Sequence, residues 1–511
     1  MTPTVSIREA LTDPALLGNM LPGPSWEAWR VLLIASMGEA LTDDERVLFK
    51  TLTGREREPL MRVEELVAVI GRRGGKSRAM STLAAYIAGL CKHEKLVRGE
   101  TGVCLCIAQD MKVANVILDY AMAAFEGSPI LRQLIANKTA DTLELTSGIT
   151  IEVRAASFRR LRGPTYVMVV ADESAFWLNE NSSNPDVEII SAVRPGLATT
   201  GGPLILASSP YARKGVLWDV YRRYYGADGD PLVMVAQGST QTLNPTFPKA
   251  VVDRALARDR PDAEAEYGAQ FRSDLEAFVT IEVVEACTGE YREMAAYSAL
   301  SYFGFVDPSG GSDDSFTLAV SHLDGERVVI DAVREITPPF SPDAVIEEYA
   351  TTLKSYRITT VVGDKFGGEF PRELFRKYGI TYEASAKPKA HLYRELLPLL
   401  NSGRIMLPRS ERLTAQLVGL ERTTARSGRD SIDHGKGLHD DLCNVVAGAA
   451  ALAINMSSFD TSYRWLDHDS DAPVVNIPAQ PKRLHPHFTD EEYLRITAPV
   501  RLGPPIPQAW R

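Results

Sequence analysis

The run Leu66-Val67-Ala68-Val69-Ile70-Gly71-Arg72-Arg73-Gly74-Gly75-Lys76-Ser77 constrains this chain more than any other. An apolar segment of strand length feeds a glycine-rich turn. The turn ends in Lys-Ser, and a helix-forming stretch, residues 78–90, follows. Strand, glycine-rich turn and helix in that order make a phosphate cradle, the P-loop. Small residues let backbone N–H groups close around phosphate oxygens. The helix N-terminus adds a partial positive charge. In such a loop Lys76 reaches the β and γ phosphates, and Ser77 ligates a magnesium ion. The nucleotide-binding set is then Gly71, Arg72, Arg73, Gly74, Gly75, Lys76 and Ser77. The strict pattern wants glycine where Ile70 stands, and here it comes one residue later.

Downstream, Tyr166-Val167-Met168-Val169-Val170-Ala171-Asp172-Glu173 reads as an apolar strand ending in two acids. Phosphoryl transfer needs one carboxylate near the magnesium and another to orient water. Asp172 fits the first role and Glu173 the second. The pair of motifs predicts an ATPase that uses ATP and Mg2+.

At 511 residues the chain has room for two or more domains. No run of ~18 apolar residues suggests a membrane span, and the N-terminus, with Arg8, Glu9 and Asp13, lacks a signal-peptide pattern. Five scattered cysteines offer no CxxC pair for zinc, and the chain reads as reduced and intracellular. Cys104 and Cys106 alternate along an apolar strand and read as core. A net charge of −10 argues against a static DNA-coating protein. Local basic segments remain, one with Arg154, Arg159, Arg160 and Arg162, another with Lys387, Lys389 and Arg394. Both leave a phosphate-backbone contact open.

Residues 1–55 read as a helical N-terminal segment, with Trp26 and Trp29 at helical spacing. Core packing is the first reading for these tryptophans and a lid over a base the second. Residues 56–225 alternate strands (66–70, 102–108, 141–145, 149–154, 167–171, 204–208) with helices (76–91, 111–125, 184–193, 215–225). Alternation of this kind predicts an α/β domain with a mostly parallel sheet. Nucleotides sit at the carboxyl ends of such strands. The strand 204–207 also ends there, in Ser208-Ser209-Pro210. These hydroxyls suit a coupling role, sensing the γ-phosphate, and a plain turn before Pro210 fits them equally. Residues 226–295 read as a connecting helical subdomain, 296–455 as a second α/β domain, and 456–511 as a proline-rich tail.

In the second domain, Leu300–Asp307 reads as a strand ending in an acid, and Thr359–Asp364 as another. His439-Asp440-Asp441 opens an apolar helix. A ribonuclease H-like sheet brings together acids on its first strand, its fourth strand and a late helix. Such a cluster repels a phosphodiester until divalent metals bridge it. Asp307, Asp364 and Asp441 are the candidate metal ligands and catalytic acids, with Mg2+, or alternatively Mn2+, as the ion. On a helix each residue turns by about 100°. Leu438, Leu442, Val445, Val446, Ala449, Leu452 and Ala453 then share one face, with Asp441 at its edge. Asp440 is the second choice, expected to support the site from behind or to face solvent.

Together these residues resemble the large terminase subunit of tailed bacteriophages, over roughly residues 20–455. The likeness rests on Gly71–Ser77, Asp172-Glu173, Ser208-Ser209-Pro210 and Ala263-Glu264-Ala265-Glu266-Tyr267. It continues through Asp307-Pro308, Gly363-Asp364-Lys365 with Gly367-Gly368-Glu369, and His439-Asp440-Asp441. It implies a P-loop NTPase domain followed by a ribonuclease H-like nuclease domain. It further implies a motor that drives double-stranded viral DNA into a procapsid and cuts concatemers. Implied partners are the portal protein, a small terminase subunit and further copies of the chain in a pentameric ring. The place of action would be the host cytoplasm, transiently at the procapsid portal vertex. The family's P-loop arginine falls on Arg72, with Arg73 as substitute, and would engage the γ-phosphate catalytically. The rival readings are a DNA repair or recombination translocase with a nuclease, and a nucleotide-switched scaffold. Against the first stands the lack of a second helicase-type lobe after residue 225, and against the second stand Glu173 and the three acids.

Overall fold

The computed structural model describes residues 1–157, 161–177, 182, 185–226, 230–312, 314–364, 370–424, 430–435 and 438–463. Arg159, Arg160, Lys365, Gly367, Gly368, Glu369 and residues 464–511 of the proline-rich tail lie outside the described residues, while 456–463 continue the last helix instead of starting the tail.

The strand Glu65–Ile70 shows why the first sheet forms as it does. Leu66, Ala68 and Ile70 enter one apolar core, while Val67 and Val69 enter another on the opposite face. A strand buried on both faces suits a parallel sheet covered by helices on each side. Gly102–Ala108 follows the same rule, with Cys104 and Cys106 in the first core and Leu105 and Ile107 in the second. The eight strands run in the order Val233–Gly238, Glu65–Ile70, Leu204–Ser208, Thr165–Asp172, Gly102–Ala108, Ile149–Ala155, Thr142–Leu145, Ile135–Lys138. The first six are mutually parallel and the last two antiparallel. The expected strands stand within a residue or two of their predicted ends. Ile135–Lys138 carries no long apolar run, and Val233–Gly238 comes from the stretch read as a connecting helical subdomain. The helix expected over 184–193 extends over Pro185–Thr200, with Pro195 inside it.

The second sheet runs Thr381–Ala384, Thr360–Gly363, Tyr302–Asp307, Phe316–Asp324, Arg327–Ile336, Ile405–Met406. Tyr302–Asp307, Phe316–Asp324 and Arg327–Ile336 form an antiparallel meander. Thr360–Gly363 and Thr381–Ala384 extend it in parallel on the other side. Numbered from Tyr302–Asp307, this is the ribonuclease H-like order, with the fourth strand beside the first. A buried helix, Asp441–Tyr463, packs on the sheet. A Cβ on Gly448 would stand 2.3 Å from the Phe305 ring, so glycine lets the helix sit close. A small three-stranded sheet of Leu275–Ala277, Leu420–Thr424 and Asp430–His434 lies in the same compact unit, Met1–Ser458. Among the described residues, no helix is long and apolar enough to cross a membrane.

Candidate functional site

Sheet order places the first constellation. Leu204–Ser208 runs between the strand that feeds the glycine-rich turn and the strand that ends in Asp172. Ser208 and Ser209 therefore emerge between Lys76 on one side and Glu173 on the other. Lys76 is 5% exposed. Its Nζ donates to Ile70 O at 3.1 Å and Ser209 Oγ at 2.9 Å, and lies 3.0 Å from Glu173 Oε1. The other oxygen of that carboxylate, Oε2, accepts from Ser209 N at 2.9 Å and Ser208 Oγ at 3.2 Å. Glu173 adopts φ +49°, a conformation uncommon for a non-glycine residue. Its own N–H donates to Ala207 O at 2.8 Å, which holds it there.

Ser77 Oγ donates to Asp172 Oδ2 at 3.2 Å. Asp172 Oδ1 is buried with no hydrogen-bond partner among the described residues. Burial, then the neighbouring charge of Glu173, pushes Asp172 up to about 7, while Lys76 and the Ser77 hydroxyl pull it down. A buried carboxylate with one orphan oxygen beside a serine hydroxyl is the donor set a magnesium ion takes.

The turn itself is braced from three directions. Gly71 N donates to Gly238 O at 3.1 Å, and Arg72 N to Glu266 O at 2.5 Å. Trp29 Nε1 donates to Gly74 O at 2.6 Å. A Cβ at position 71 would come within 2.7 Å of Thr240 N and of Tyr267 O, which explains why glycine stands there. Trp29 is core, as expected, and also a P-loop support. Trp26 lies partly buried beside it, with the Arg78 guanidinium 4.9 Å from its ring centroid.

The two arginines do not enter this cluster. Arg72 is exposed, and its Nη1 pairs with Glu266 Oε2 at 3.1 Å. Arg73 is also exposed, at φ +64°, and its carbonyl accepts from Asn244 Nδ2 at 3.0 Å. Glu266, on the helix Arg260–Glu266, was absent from the predicted site. The Ala263–Tyr267 motif contained the signal without a role attached.

In the second sheet, Asp307 ends its strand and Asp364 directly follows the neighbouring one. The helix begins at Asp441. Thr317 Oγ1 donates to Asp441 O at 3.0 Å and Ser321 Oγ to Ala449 O at 2.9 Å, pinning the helix over the sheet. Burial pushes Asp307 up to about 7, the charges of Asp364 and Asp441 push the same way, and a hydrogen bond from Asn444 opposes them. Asp441 rises to about 6, through burial first and the charge of Asp440 second. Its Oδ2 is buried without a partner among the described residues. The three predicted acids therefore share one electrostatic neighbourhood, and an oxygen-only, partly desolvated set of this kind suits a hard divalent cation. Asn444, one helical turn after Asp441, was missed; a lone amide in an apolar helix carries no sequence signal.

Of the two expectations for Asp440, facing solvent is the one that the structure overturns. It is buried rather than solvent-facing. Lys389 Nζ lies 2.6 Å from its Oδ2, and Tyr393 OH donates to the same oxygen at 2.7 Å. The helical-wheel argument failed for two reasons. Asp440 precedes the first helical residue, and the helix is buried on more than one face, as Cys443, Ala447 and Ala450 show. Among the described residues, Asp433, His434 and Asp440 bring donor atoms within 4.8 Å of one another. That trio already holds a cation, because Lys389 Nζ also lies 3.4 Å from Asp433 Oδ1. In the same segment Lys387 pairs with Glu395, while Arg394 Nε donates to Ala390 O at 3.1 Å. Arg154 is likewise paired, with Glu152.

One further contact joins the two parts of the chain. Tyr211, directly after Ser208-Ser209-Pro210, donates its hydroxyl to Glu421 Oε2 at 2.9 Å, and Lys214 Nζ donates to Oε1 at 3.0 Å.

No family model matches the sequence, and no curated protein matches it. Among solved structures, the chain is similar to the large terminase of bacteriophage HK97, at 15% identity and a TM-score of 0.35, covering 77% of this chain and 91% of that one. It is similar to the large terminase of a thermophilic bacteriophage, at 11% identity and a TM-score of 0.35, covering 80% and 98%. It is also similar to the large terminase nuclease of thermophilic phage G20c with bound magnesium, at 18% identity and a TM-score of 0.31, covering 34% and 98%.

Proposed function

We propose that the chain is the large subunit of a phage DNA-packaging terminase, an ATPase that translocates double-stranded DNA and a metal-dependent endonuclease that cuts it. The observation that carries this reading is the pairing, in one chain, of Lys76, Glu173 and Ser209 in one cluster with Asp307, Asp364 and Asp441 in another.

In the ATPase site, Lys76 and Glu173 neutralise each other. When Lys76 turns to the phosphates of ATP, Glu173 Oε1 loses its partner, while Ser208 and Ser209 still hold Oε2. The freed oxygen is then positioned to accept a proton from the attacking water. Ser209 contacts both Lys76 and Glu173, so a change at either is transmitted to the strand Leu204–Ser208. Ser77 and Asp172 would hold Mg2+ here, and Asp307, Asp364 and Asp441 would hold Mg2+ or Mn2+ in the nuclease; the ions supply positive charge to the reacting phosphates and lower the pKa of bound water. Asp307 and Asp441 are half-buried, and Asn444 Nδ2 holds Asp307 Oδ2 at 2.6 Å. Arg72, bound to Glu266, would have to exchange that partner to reach a phosphate, and Arg73 stands as the alternative.

The partners follow from the same reading: the procapsid portal protein, a small terminase subunit and a pentameric ring of this chain in the host cytoplasm. The test is paired. Lys76→Ala should abolish DNA-stimulated ATP hydrolysis and leave metal-dependent nicking of plasmid DNA intact. Asp307→Asn should do the reverse. Loss of both activities together in a well-folded single variant would defeat the assignment of two separate sites.

A further inference from the structure

The acidic cluster contains a fourth polar side chain that the three acids leave unexplained. Asn444 is 1% exposed. Its Nδ2 donates to Asp307 Oδ2 at 2.6 Å and reaches Asp364 Oδ2 at 3.5 Å. Two carboxylate oxygens require a donor, which sets the orientation of the amide. The other end of that amide, Oδ1, is buried with no hydrogen-bond partner among the described residues. Leaving a buried acceptor unsatisfied costs about 1–3 kcal/mol. One turn earlier on the same helix, Asp441 Oδ2 is likewise buried and unpartnered among the described residues. Two orphan oxygens thus accompany two acids that already share a donor.

We propose that Asn444 is both a positioning residue and a cation ligand of this centre. Its Nδ2 bridges Asp307 and Asp364 in the cation-free protein, and a divalent cation turns the amide so that Oδ1 faces the ion. The inference rests on the nuclease reading above. Its chemistry is simple. An N–H dipole directed at two carboxylates stands in for part of a cation's charge. A divalent ion entering between those acids repels the N–H and attracts a carbonyl oxygen. Hard cations take carboxamide oxygens alongside carboxylates. Rotation about the terminal side-chain bond exchanges the two ends without moving the backbone. The backbone is secured separately, by Asn444 N donating to Asp440 O at 2.9 Å. A residue needed only to fill space here would be apolar, like its neighbours Cys443 and Val445.

The test is Mn2+ binding by titration calorimetry and by thermal shift, on the full chain and on Asn444→Ala and Asn444→Asp. Asn444→Ala should bind Mn2+ at least about tenfold more weakly, the lower end of what losing such a partner does to metal affinity. Asn444→Asp should bind Mn2+ more tightly than the parent. In chelator it should melt at a lower temperature, because it adds a like charge and removes the donor. A purely structural role predicts that both variants melt lower by the same amount with and without Mn2+, at unchanged affinity, and that result overturns the proposal. If Asp307→Asn loses Mn2+ binding while both Asn444 variants keep it, this inference fails alone. If the parent itself binds no Mn2+, the nuclease reading fails and takes the inference with it.

Discussion

In the proposed ATPase site the two oxygens of Glu173 have different partners. Oε2 is anchored by Ser208 and Ser209, and among the described residues Oε1 is matched against Lys76. Glu173→Gln keeps the shape and loses the base. It should bind ATP with Mg2+ normally in a filter or fluorescence assay and turn over about a hundredfold or more slowly. Asp172→Asn should instead weaken Mg2+-dependent binding, and equal binding defects in the two variants would remove the distinction. In the other cluster, burial holds Asp307 at about 7. An ordinary aspartate titrates near ~4, so on folding this one takes up a proton between those values. The unfolded chain then binds fewer protons than the native one, and stability from this group falls as pH rises through that window. In chelator, Asp307→Asn should therefore be the more stable protein at about pH 8, by up to roughly 3 kcal/mol, with the gap closing towards about pH 4. Chemical unfolding at the two pH values measures this, and a parent more stable than the variant at the higher pH contradicts it. Asp440 belongs to a different class from Asp441. Asp440→Asn leaves the Lys389 ammonium without its main partner and should cost roughly 3 kcal/mol of stability, as breaking a buried pair does. Asp441→Asn should cost no stability, because burial raises Asp441 as it raises Asp307, and should remove metal-dependent cleavage. The reverse pattern would exchange their roles.

The elements matter through what they brace. The glycine-rich turn is held by the N-terminal helix Glu27–Ser36, through Trp29 Nε1 on Gly74 O, as much as by its own strand. Trp29→Phe preserves most of the ring packing and deletes that hydrogen bond. It should destabilise by about 1 kcal/mol and raise the KM for ATP more than it lowers kcat. An unchanged KM would mean that the turn holds its shape without the tryptophan. Helix Asp441–Tyr463 depends likewise on its approach to the sheet, where Gly448 faces Phe305. A Cβ at position 448 would stand 2.3 Å from the Phe305 ring, so either the helix or the ring would have to shift.

At the scale of the molecule, two sheets carry the two candidate sites, and Glu421 ties the loop after Ser209 to the hairpin strand Leu420–Thr424. Glu421→Ala leaves Tyr211 and Lys214 without this acceptor. Lys214 is partly exposed and its share is screened. The expected loss in urea unfolding is about 1–2 kcal/mol, most of it from the tyrosine hydroxyl. A variant as stable as the parent would show that this contact contributes nothing to holding the two parts together.

Local chemistry made much of this molecule readable from the chain alone. Apolar runs of strand length ending in Ser-Ser or Asp-Glu, a glycine turn before Lys-Ser, and acids closing Tyr302–Asp307 and Thr360–Gly363 are signals confined to a few neighbouring residues. They located most of the strands within a residue or two and named Lys76, Glu173, Asp307 and Asp364, but not Asn444 or Glu266. Tertiary structure decided what those side chains touch. Sheet order inserted Leu204–Ser208 between the other two motif strands, and so joined Lys76 to Glu173 through Ser209. Burial on more than one face of the last helix put Asp440 against Lys389 instead of solvent. Packing distance let Asn444 span Asp307 and Asp364. The partners in each case lie far apart in sequence, and only the folded backbone brings them within hydrogen-bonding reach.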